Sequence, residues 1–199
     1  MSLQPDFQCG LVLLAAGGSR RMGRPKQLLP IKGQTLIRHV TELVLRAPVH
    51  PVVVVLGAEA KKIQPTLAGL GIVIAVNPAW TEGLGSSLQT GVETVLEHSP
   101  DVSAVIVALA DQPGLPPRHL ERLITRFRDG GCTAVASQTG PDLVPPLLFG
   151  PAWFPQLCAI KGDLGARALL REHPADVATL PLESNTDLDT PEDYARYTS

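Results

Sequence analysis

The chain lacks several features that would place it among secreted, membrane-spanning or disulfide-rich proteins. Cysteine is scarce: Cys9, Cys132 and Cys158 make an odd count, and no two of them stand in the C-x-x-C spacing of a zinc knuckle. No apolar stretch reaches the ~18 residues of a membrane span, and residues 1–10 lack the charged-then-apolar layout of a secretory signal. We therefore expect buried free thiols, no disulfide framework, no membrane partner and a cytoplasmic location.

A basic excess is also absent. The 17 lysines and arginines are outnumbered by 19 aspartates and glutamates, for a net charge of −2, whereas nucleic-acid-binding domains usually carry a clear positive excess. A broad nucleic-acid-binding face is therefore excluded. Hydrophobic residues make up 44% of the chain and charged residues 18%, a balance typical of folded globular proteins. The length of 199 residues favours a single domain that spans residues 1–199.

Short apolar runs alternate with amphipathic segments along the first two thirds of the chain. Each run is apolar almost throughout, as expected for strands that are covered on both faces of a sheet. Helical spacing of apolar residues predicts helices over 36–44, 84–96 and 120–127. This alternation predicts an α/β fold with a mostly parallel central sheet wound on both sides. The predicted strands are Leu11–Ala16, Pro51–Leu56, Ile72–Val76, Ala104–Leu109 and Thr133–Ser137.

The last third of the chain is less regular. Pro145–Phe149 and Val177–Leu180 are predicted to be short strands, and Pro151–Cys158 and Leu164–Arg171 are predicted to be helices. A further helix should follow Thr190 as its N-cap, because a proline and then acidic residues would occupy its first turn.

A strongly basic loop follows the first predicted strand. The stretch reads LVLLAAGGSRRMGRPKQLLP from Leu11 to Pro30. Its small residues let backbone N–H groups approach phosphate oxygens closely, and α/β sheets bind ligands beyond the carboxyl ends of their strands. The composition is compatible both with phosphate binding and with a solvated basic turn. The four cations that would add charge to a triphosphate are Arg20, Arg21, Arg24 and Lys26.

Two familiar phosphate-binding motifs do not fit this loop. Gly18 and Gly23 have the glycine spacing of a P-loop, but Arg24 and Pro25 follow where Lys and Ser or Thr are required. The G-x-G-x-x-G fingerprint of dinucleotide-binding folds is absent.

Carboxylates stand at two further points where a ligand site could form. Asp111 closely follows the apolar run Ala104–Leu109, and a carboxylate at a strand end suits Mg²⁺, which is often held by one or two carboxylates plus substrate phosphates. A local turn is the alternative role. Asp187 and Asp189 have the spacing that puts two carboxylates on one side of an extended segment. One of them is a candidate second metal ligand, and Asp189 could instead only help to start the last helix.

These segments together resemble a known enzyme family. The loop matches the nucleotidyltransferase signature L-A-A-G-x-S-x-R-M-G-x-x-K at every fixed position, and the nearest branch of this superfamily of MobA-like NTP transferases is the molybdenum cofactor cytidylyltransferases. The fixed positions are Leu14, Ala15, Ala16, Gly17, Ser19, Arg21, Met22, Gly23 and Lys26. Further matches are Asn77-Pro78, Glu82-Gly83, Ser86-Ser87, Asp111-Gln112-Pro113, residues 162–167 and residues 187–193.

The resemblance implies a three-layer, Rossmann-like nucleotidyltransferase fold with a nucleotide-binding part at about 10–115 and an acceptor-binding part at about 116–199. It implies Mg²⁺-dependent transfer of CMP from CTP to the phosphate of molybdopterin or molybdenum cofactor, with pyrophosphate as the second product. The implied catalytic residues are Lys26, Arg21 and Asp111, and the implied metal ligands are Asp111 with Asp187 or Asp189. The implied nucleotide-binding residues are Leu14, Ala15, Ala16, Gly17, Gly18, Ser19, Arg20, Met22, Gly23, Lys26, Asn77, Gly83, Ser86 and Ser87, and the implied acceptor-binding residues are Gln112, Pro113, Asp163 and Arg167.

Two positions bear on the choice of substrates. Ala16 stands where guanylyl-type relatives tend to have glycine, which favours cytosine. The segment 143–146 replaces a G-H-P found in some cytidylyltransferases of this kind, so contacts with the acceptor are expected to differ. Three alternatives stay open: a GTP-dependent guanylyltransferase of the same cofactor, a cytidylyltransferase for a sugar or polyol phosphate, and a cofactor-carrying chaperone whose partner is a molybdenum hydroxylase apoenzyme.

Overall fold

The computed structural model describes residues 7–163, 165–183 and 186–199, and within them a mostly parallel sheet lies between helices, as predicted. Leu164, the first residue of one predicted helix, lies outside the described residues. The strands are β1 (Cys9–Ala15), β2 (Pro30–Ile31), β3 (Gln34–Thr35), β4 (Val52–Leu56), β5 (Val73–Val76), β6 (Ala104–Leu109), β7 (Ala134–Thr139), β8 (Asp142–Phe149) and β9 (Val177–Pro181). The helices are α1 (Leu36–Val44), α2 (Ala60–Ile63), α3 (Leu84–His98), α4 (Pro117–Arg128), α5 (Phe154–Ala159), α6 (Ala166–Glu172) and α7 (Pro191–Thr198).

The order of strands in the described sheet is β5-β4-β1-β6-β8-β7-β9. Strands β5, β4, β1 and β6 run parallel, β8 runs antiparallel to both of its neighbours, and β9 is parallel to β7. The carboxyl ends of β1 and β6 therefore lie side by side, and the loops that follow them meet at one edge of the sheet.

Both faces of the sheet are covered, which explains why the central strands are apolar at successive positions. In β1, Leu11 and Leu13 pack in the layer formed with α1 and α4, whereas Val12 and Leu14 pack in the layer formed with α3. Because neighbouring side chains of a strand point to opposite faces, a strand between two helical layers needs apolar residues throughout. No helix among the described residues is long and apolar enough to cross a membrane.

The structure differs from the sequence prediction in the C-terminal half of the sheet. The strand predicted at Pro145–Phe149 begins at Asp142 and forms a hairpin with β7, whose register shifts between Ala136 and Ser137. The shift accommodates two consecutive prolines, which cannot donate ladder hydrogen bonds. The short hairpin β2–β3 and the single-turn helix α2 were not predicted, because they are too short to show a hydrophobic period.

A buried hydrogen-bonded chain holds this irregular part of the sheet. The Ser137 hydroxyl donates to the Pro146 carbonyl oxygen at 2.7 Å and lies 2.7 Å from His119 Nε2. Since the hydroxyl has only one hydrogen to donate, it accepts from His119, whose Nε2 therefore carries a proton. Burial lowers the pKa of His119 to about 4, with a smaller effect from Arg122, so the imidazole is neutral at pH 7.

The C-terminal helix α7 carries the predicted N-cap. The Thr190 hydroxyl accepts from the backbone N–H of Asp193, and the Asp193 carboxylate accepts from the backbone N–H of Thr190, which completes a capping box. Tyr194 and Tyr197 on this helix donate their hydroxyl hydrogens to the carbonyl oxygens of Pro30 and Pro113. The helix thereby holds residues 186–190 against the basic loop and the end of β6.

Candidate active site

The basic loop is held in shape by a buried glutamine that the sequence did not single out. Gln27 is 3% exposed, and its Nε2 donates to the carbonyl oxygens of Ala15 at 2.8 Å and Gly17 at 2.9 Å. The Ser19 hydroxyl donates to Gln27 Oε1 at 3.3 Å and accepts from the backbone N–H of Lys26 at 3.0 Å. Ser19 adopts the left-handed conformation, with a φ of 51°. The loop is thus fixed by its own side chains before any ligand binds.

An open cleft of about 450 Å³ lies beyond the carboxyl ends of β1 and β6. The loop forms one wall, and the segment between β5 and the first turns of α3 forms another. The predicted site residues in its described lining are Leu14, Ala15, Ala16, Gly17, Gly18, Arg20, Lys26, Gly83, Ser87 and Asp111, with Asp163 at the border of a second cleft. The lining also includes Gln27 and Trp80, which the sequence analysis did not single out.

Several predicted nucleotide-binding residues support the walls and are not part of the described lining. Asn77 is 2% exposed, and its Nδ2 donates to the hydroxyls of Ser86 at 2.9 Å and Ser87 at 3.0 Å. The Ser86 hydroxyl in turn donates to the carbonyl oxygens of Ala79 and Gly83. Met22 packs in the core beneath the loop. These contacts hold the turn that precedes α3 in a fixed position.

A compact group of charges lies where the loop meets the strand ends. Lys26 Nζ donates to Asp111 Oδ2 at 2.5 Å and to Asp189 Oδ1 at 2.8 Å, and Arg21 donates to Asp189 Oδ2 at 2.8 Å. The backbone N–H of Leu188 donates to the Asp111 carbonyl oxygen at 3.0 Å, which ties the two acidic segments together. The sequence did not predict these ion pairs, because Lys26 and Asp189 are 163 residues apart.

The environment of this group shifts the pKa values of its members. Burial acts to lower the pKa of Lys26, but Asp111 and Asp189 outweigh it, so the pKa is raised. Burial acts to raise the pKa of Asp189, but Lys26 and Arg21 together hold it below the usual value. Lys26 is therefore charged throughout the physiological range, and so is Asp189.

Asp187 completes the acidic group in a different environment. Its Oδ1 accepts from Gln112 Nε2 at 2.9 Å, and its pKa is raised by burial and by the charges of Asp111 and Asp189. Asp111 Oδ1 is buried and has no hydrogen-bond partner among the described residues. An unpaired buried carboxylate oxygen beside a second, repelled carboxylate suits a divalent cation. Within residues 7–163, 165–183 and 186–199, no group of three or more His, Cys, Asp or Glu residues is arranged to hold a metal ion. A metal ion held by Asp111 and Asp187 would therefore need oxygens of a substrate as its further ligands.

A second cleft of about 710 Å³ adjoins the first and lies over the irregular half of the sheet. Four residues line both clefts: Leu14, Leu84, Leu109 and Asp163. Arg167 lines the second cleft, but the described lining of the two clefts includes neither Gln112 nor Pro113. Gln112 is 1% exposed and holds Asp187, and the Pro113 carbonyl oxygen accepts from Tyr197. Gln112 and Pro113 therefore support residues around the clefts and are not among the residues described as lining them.

This cleft geometry agrees with the comparison of the chain with protein families. Residues 11–177 match the model of the MobA-like NTP transferase domain. The chain belongs to the MobA-like NTP transferase family. Membership in this family makes the chain a nucleotidyltransferase, as the loop signature predicted.

Relatives in the MobA-like NTP transferase family carry more than one name. Nicotine blue oxidoreductase of Paenarthrobacter nicotinovorans is 36% identical over 195 residues, which cover 93% of this chain and 94% of that protein. Molybdenum cofactor guanylyltransferase of Rhodobacter capsulatus is 30% identical over 191 residues, which cover 93% of this chain and 92% of that protein.

Solved structures with this fold include that of Rv0371c from Mycobacterium tuberculosis H37Rv. It superposes with a TM-score of 0.85 at 26% identity and covers 97% of this chain and 98% of that protein. A second structure of Rv0371c is a complex with manganese and superposes with a TM-score of 0.77. A member of the same fold therefore binds a divalent metal.

Proposed function

We propose that this chain transfers CMP from CTP to the terminal phosphate of molybdopterin or of molybdenum cofactor, with release of pyrophosphate. The observation that carries the proposal is that a cleft walled by the cationic loop adjoins a second cleft that has a cation of its own. One cleft has Arg20 and Lys26 in its lining, the other has Arg167, and the two share Leu14, Leu84, Leu109 and Asp163. A nucleotide and a second phosphate-bearing molecule would meet at these shared residues.

The main task of the protein in this reaction is to bring two anions together and align them. The acceptor phosphate attacks the α-phosphorus of CTP, and the bond to pyrophosphate breaks. The loop backbone at residues 15–18 and the Lys26 ammonium would bind the phosphates and hold the charge that develops on pyrophosphate. Arg21 would add positive charge from the rim, where it already pairs with Asp189.

Asp111 and Asp187 are the side chains that would hold Mg²⁺, with Asp189 committed to Lys26 and Arg21. Mg²⁺ bound there would neutralise phosphate oxygens and orient the triphosphate. Gln112 would support this role by fixing the Asp187 carboxylate through its 2.9 Å hydrogen bond. The manganese complex of the related Rv0371c supports a divalent metal in this family.

The acceptor would occupy the second cleft. Arg167 would pair with its phosphate, and Asp163 would contact it at the border with the nucleotide. Gln112 and Pro113 would affect the acceptor only indirectly. Gln112 positions the Asp187 carboxylate, and the Pro113 carbonyl oxygen accepts from Tyr197 of α7. On this proposal the nucleotide-binding part spans about 10–115 and the acceptor-binding part about 116–199 of a single domain.

Ala16 supports CTP as the nucleotide, and the name of the Rhodobacter relative makes GTP the alternative. A thermal-shift panel of nucleotides with Mg²⁺ tests this choice: CTP is expected to raise the melting temperature clearly more than GTP. Equal shifts would refute the assignment of the base. The same nucleotides incubated with molybdopterin, followed by product mass, identify the transferred group.

Other acceptors and activities separate in the same assay. Pyrophosphate release with a sugar or polyol phosphate, and none with molybdopterin, would reassign the acceptor. Tight binding of the nucleotide-linked cofactor without turnover would indicate a carrier for a molybdenum hydroxylase. Reduction or oxidation of nicotine blue without pyrophosphate release would favour the activity in the name of the Paenarthrobacter relative.

Two substitutions test the residue roles. We expect Asp111→Asn and Lys26→Met each to lower the rate of pyrophosphate release by at least ~10²-fold, the scale for one positioned electrostatic group. Lys62→Met is the matched control, since Lys62 is a surface lysine whose side chain is 69% exposed. Near-normal turnover in either site variant would remove that residue from the mechanism.

A further inference from the structure

The nucleotide cleft contains an aromatic side chain that neither the signature loop nor the charged group explains. Trp80 begins a single 3₁₀ turn, Trp80–Glu82, between β5 and α3. It is partly exposed, lines the cleft beside Gly17 and Gly18 of the loop and packs at the border of the core layer formed with α3. A large aromatic ring that is left partly open in a polar cleft offers a flat apolar surface to a ligand.

Two glycines allow the Trp80 side chain to lie close to the strand ends. A Cβ atom added to Gly18 would lie 3.1 Å and 3.2 Å from two carbons of the indole ring. A Cβ atom added to Gly57 would lie 2.6 Å from Trp80 Cβ and 2.8 Å from its Cγ. The indole therefore packs directly against the backbone of the loop and of the segment after β4.

The turn that carries Trp80 is fixed as well. Asn77 Oδ1 accepts from the backbone N–H of Ala79 at 2.9 Å, and the Ser86 hydroxyl donates to the Ala79 carbonyl oxygen at 3.0 Å. These two bonds hold both the N–H and the carbonyl group of Ala79, the residue immediately before Trp80. The indole ring is thus held in place before a ligand binds. Little conformational entropy of Trp80 would be lost when a ligand stacks on it.

The charges of the cleft decide which part of a nucleotide lies beside this ring. The phosphates belong with Arg20 and Lys26 on the loop wall, whereas Trp80, Thr81 and Gly83 on the other wall are uncharged. The uncharged wall therefore suits the nucleobase.

From this geometry we infer that Trp80 is a nucleobase-binding residue, whose indole ring forms the apolar wall against which the base of the nucleoside triphosphate packs. The inference rests on the proposed function for the presence of a nucleotide, but it is independent of the choice between CTP and GTP and of the acceptor. Stacking of an aromatic side chain on a base changes affinity by about tenfold when the ring is removed.

The chain supplies its own optical reporter for this contact, because it has two tryptophans. Trp153 is 4% exposed, its Nε1 donates to Thr133 Oγ1 at 2.9 Å, and its ring packs against those of Phe149 and His173. Trp153 is not among the described residues that line either cleft. A Trp153→Phe variant therefore leaves Trp80 as the single indole and should keep the nucleotide affinity of the wild type.

The first experiment titrates Trp153→Phe with CTP and GTP and with tripolyphosphate, which has the phosphates but no base. We expect the nucleotide that binds to change the fluorescence of Trp80, and tripolyphosphate to compete for the site with a much smaller change. An equal fluorescence change with both compounds would overturn the inference, because the signal would then come from phosphate binding alone.

The second experiment measures affinities by calorimetry on the full chain with Mg²⁺ present. Trp80→Ala should bind the preferred nucleotide about tenfold more weakly with unchanged affinity for tripolyphosphate, and Trp80→Phe should restore most of the loss. Trp80→Leu replaces the alanine variant if that variant unfolds. Unchanged nucleotide affinity, or an equal loss for tripolyphosphate, would overturn the role of Trp80. If the wild type binds neither CTP nor GTP, the proposed function fails together with this inference.

Discussion

The ion pairs around Lys26 predict how one substitution changes the stability of the whole chain. Lys26 Nζ lies between Asp111 and Asp189, and the side chains of Lys26 and Asp111 are only 17% and 14% exposed. Lys26→Met keeps most of the apolar stem but removes the charge, so that Asp111 retains a largely buried carboxylate without its cation. Asp189 keeps Arg21 as its partner at 2.8 Å.

The size of the effect follows from the burial of the pair. Removal of one partner of a fully buried ion pair costs about 3–5 kcal/mol. Because this group is partly hydrated and Arg21 remains, we expect a loss of about 2 kcal/mol in the free energy of unfolding at pH 7. That loss corresponds to a decrease of about 4–8 °C in melting temperature for a chain of this length.

Urea unfolding followed by circular dichroism measures this loss, and a double-mutant cycle with Asp111→Asn isolates the pair. The double variant should be more stable than the sum of the single effects predicts, by about 1 kcal/mol or more. The deficit of Lys26→Met should also shrink as the pH falls below the usual range for an aspartate, because Lys26 and Arg21 hold the pKa of Asp189 below that range and its carboxylate protonates only there. Additive effects, or a loss below about 0.5 kcal/mol, would refute this account of the charged group.

Two further predictions concern the scaffold. The pKa of His119 is lowered from 6.5 to about 4 in the folded chain. Between pH 6.5 and pH 4 the imidazole therefore binds a proton in the unfolded chain but not in the folded chain. The free energy of unfolding should fall by up to about 3 kcal/mol as the pH drops from 6.5 to 4. His119→Gln should flatten this part of the pH profile, and His98→Gln, on the surface, should not. A Cβ added at Gly91 would overlap the buried side chain of Val12, so Gly91→Ala should lower the free energy of unfolding by about 1–2 kcal/mol despite its better helix propensity. Gly71→Ala is the control, because a Cβ there meets no atom within 4 Å, and equal melting temperatures for the two variants would contradict the overlap.

The central sheet was predictable because its strands obey a simple physical rule. Strands β1, β4 and β6 lie between two helical layers, and a strand buried on both faces must be apolar at every position. The N-cap at Thr190 was predictable for a similar reason, since capping is a local interaction within a few residues. The direction of β8 was not predictable, because it depends on the hairpin with β7 and on a register shift that no hydrophobic pattern records.

The same distinction applies to the site. The sequence pointed to Lys26, Asp111 and Asp189, because charged residues at strand ends and loops of an α/β sheet indicate ligand binding. It did not show that they form ion pairs with one another. Gln27 and Trp80 were missed for opposite reasons: a buried glutamine looks like any polar loop residue, and a tryptophan looks like core. An aromatic residue shortly after a strand end was the available signal for Trp80.

The walls of the two clefts differ in how firmly the fold determines them. We expect the less firmly determined wall to set the choice of acceptor. The nucleotide wall is fixed by Gln27, which hydrogen-bonds the backbone at the end of β1, and by Asn77, which hydrogen-bonds the backbone of the turn before α3. The acceptor wall includes Val144 and Pro145 from the shifted hairpin. On the proposed function, relatives with different names can share the first wall because it would contact only the nucleotide, whereas loops and irregular strands can change without loss of the fold. Exchange of residues 143–146 with those of a relative should therefore change the acceptor and leave nucleotide affinity within about twofold, and a parallel change in nucleotide affinity would show that the two walls are coupled.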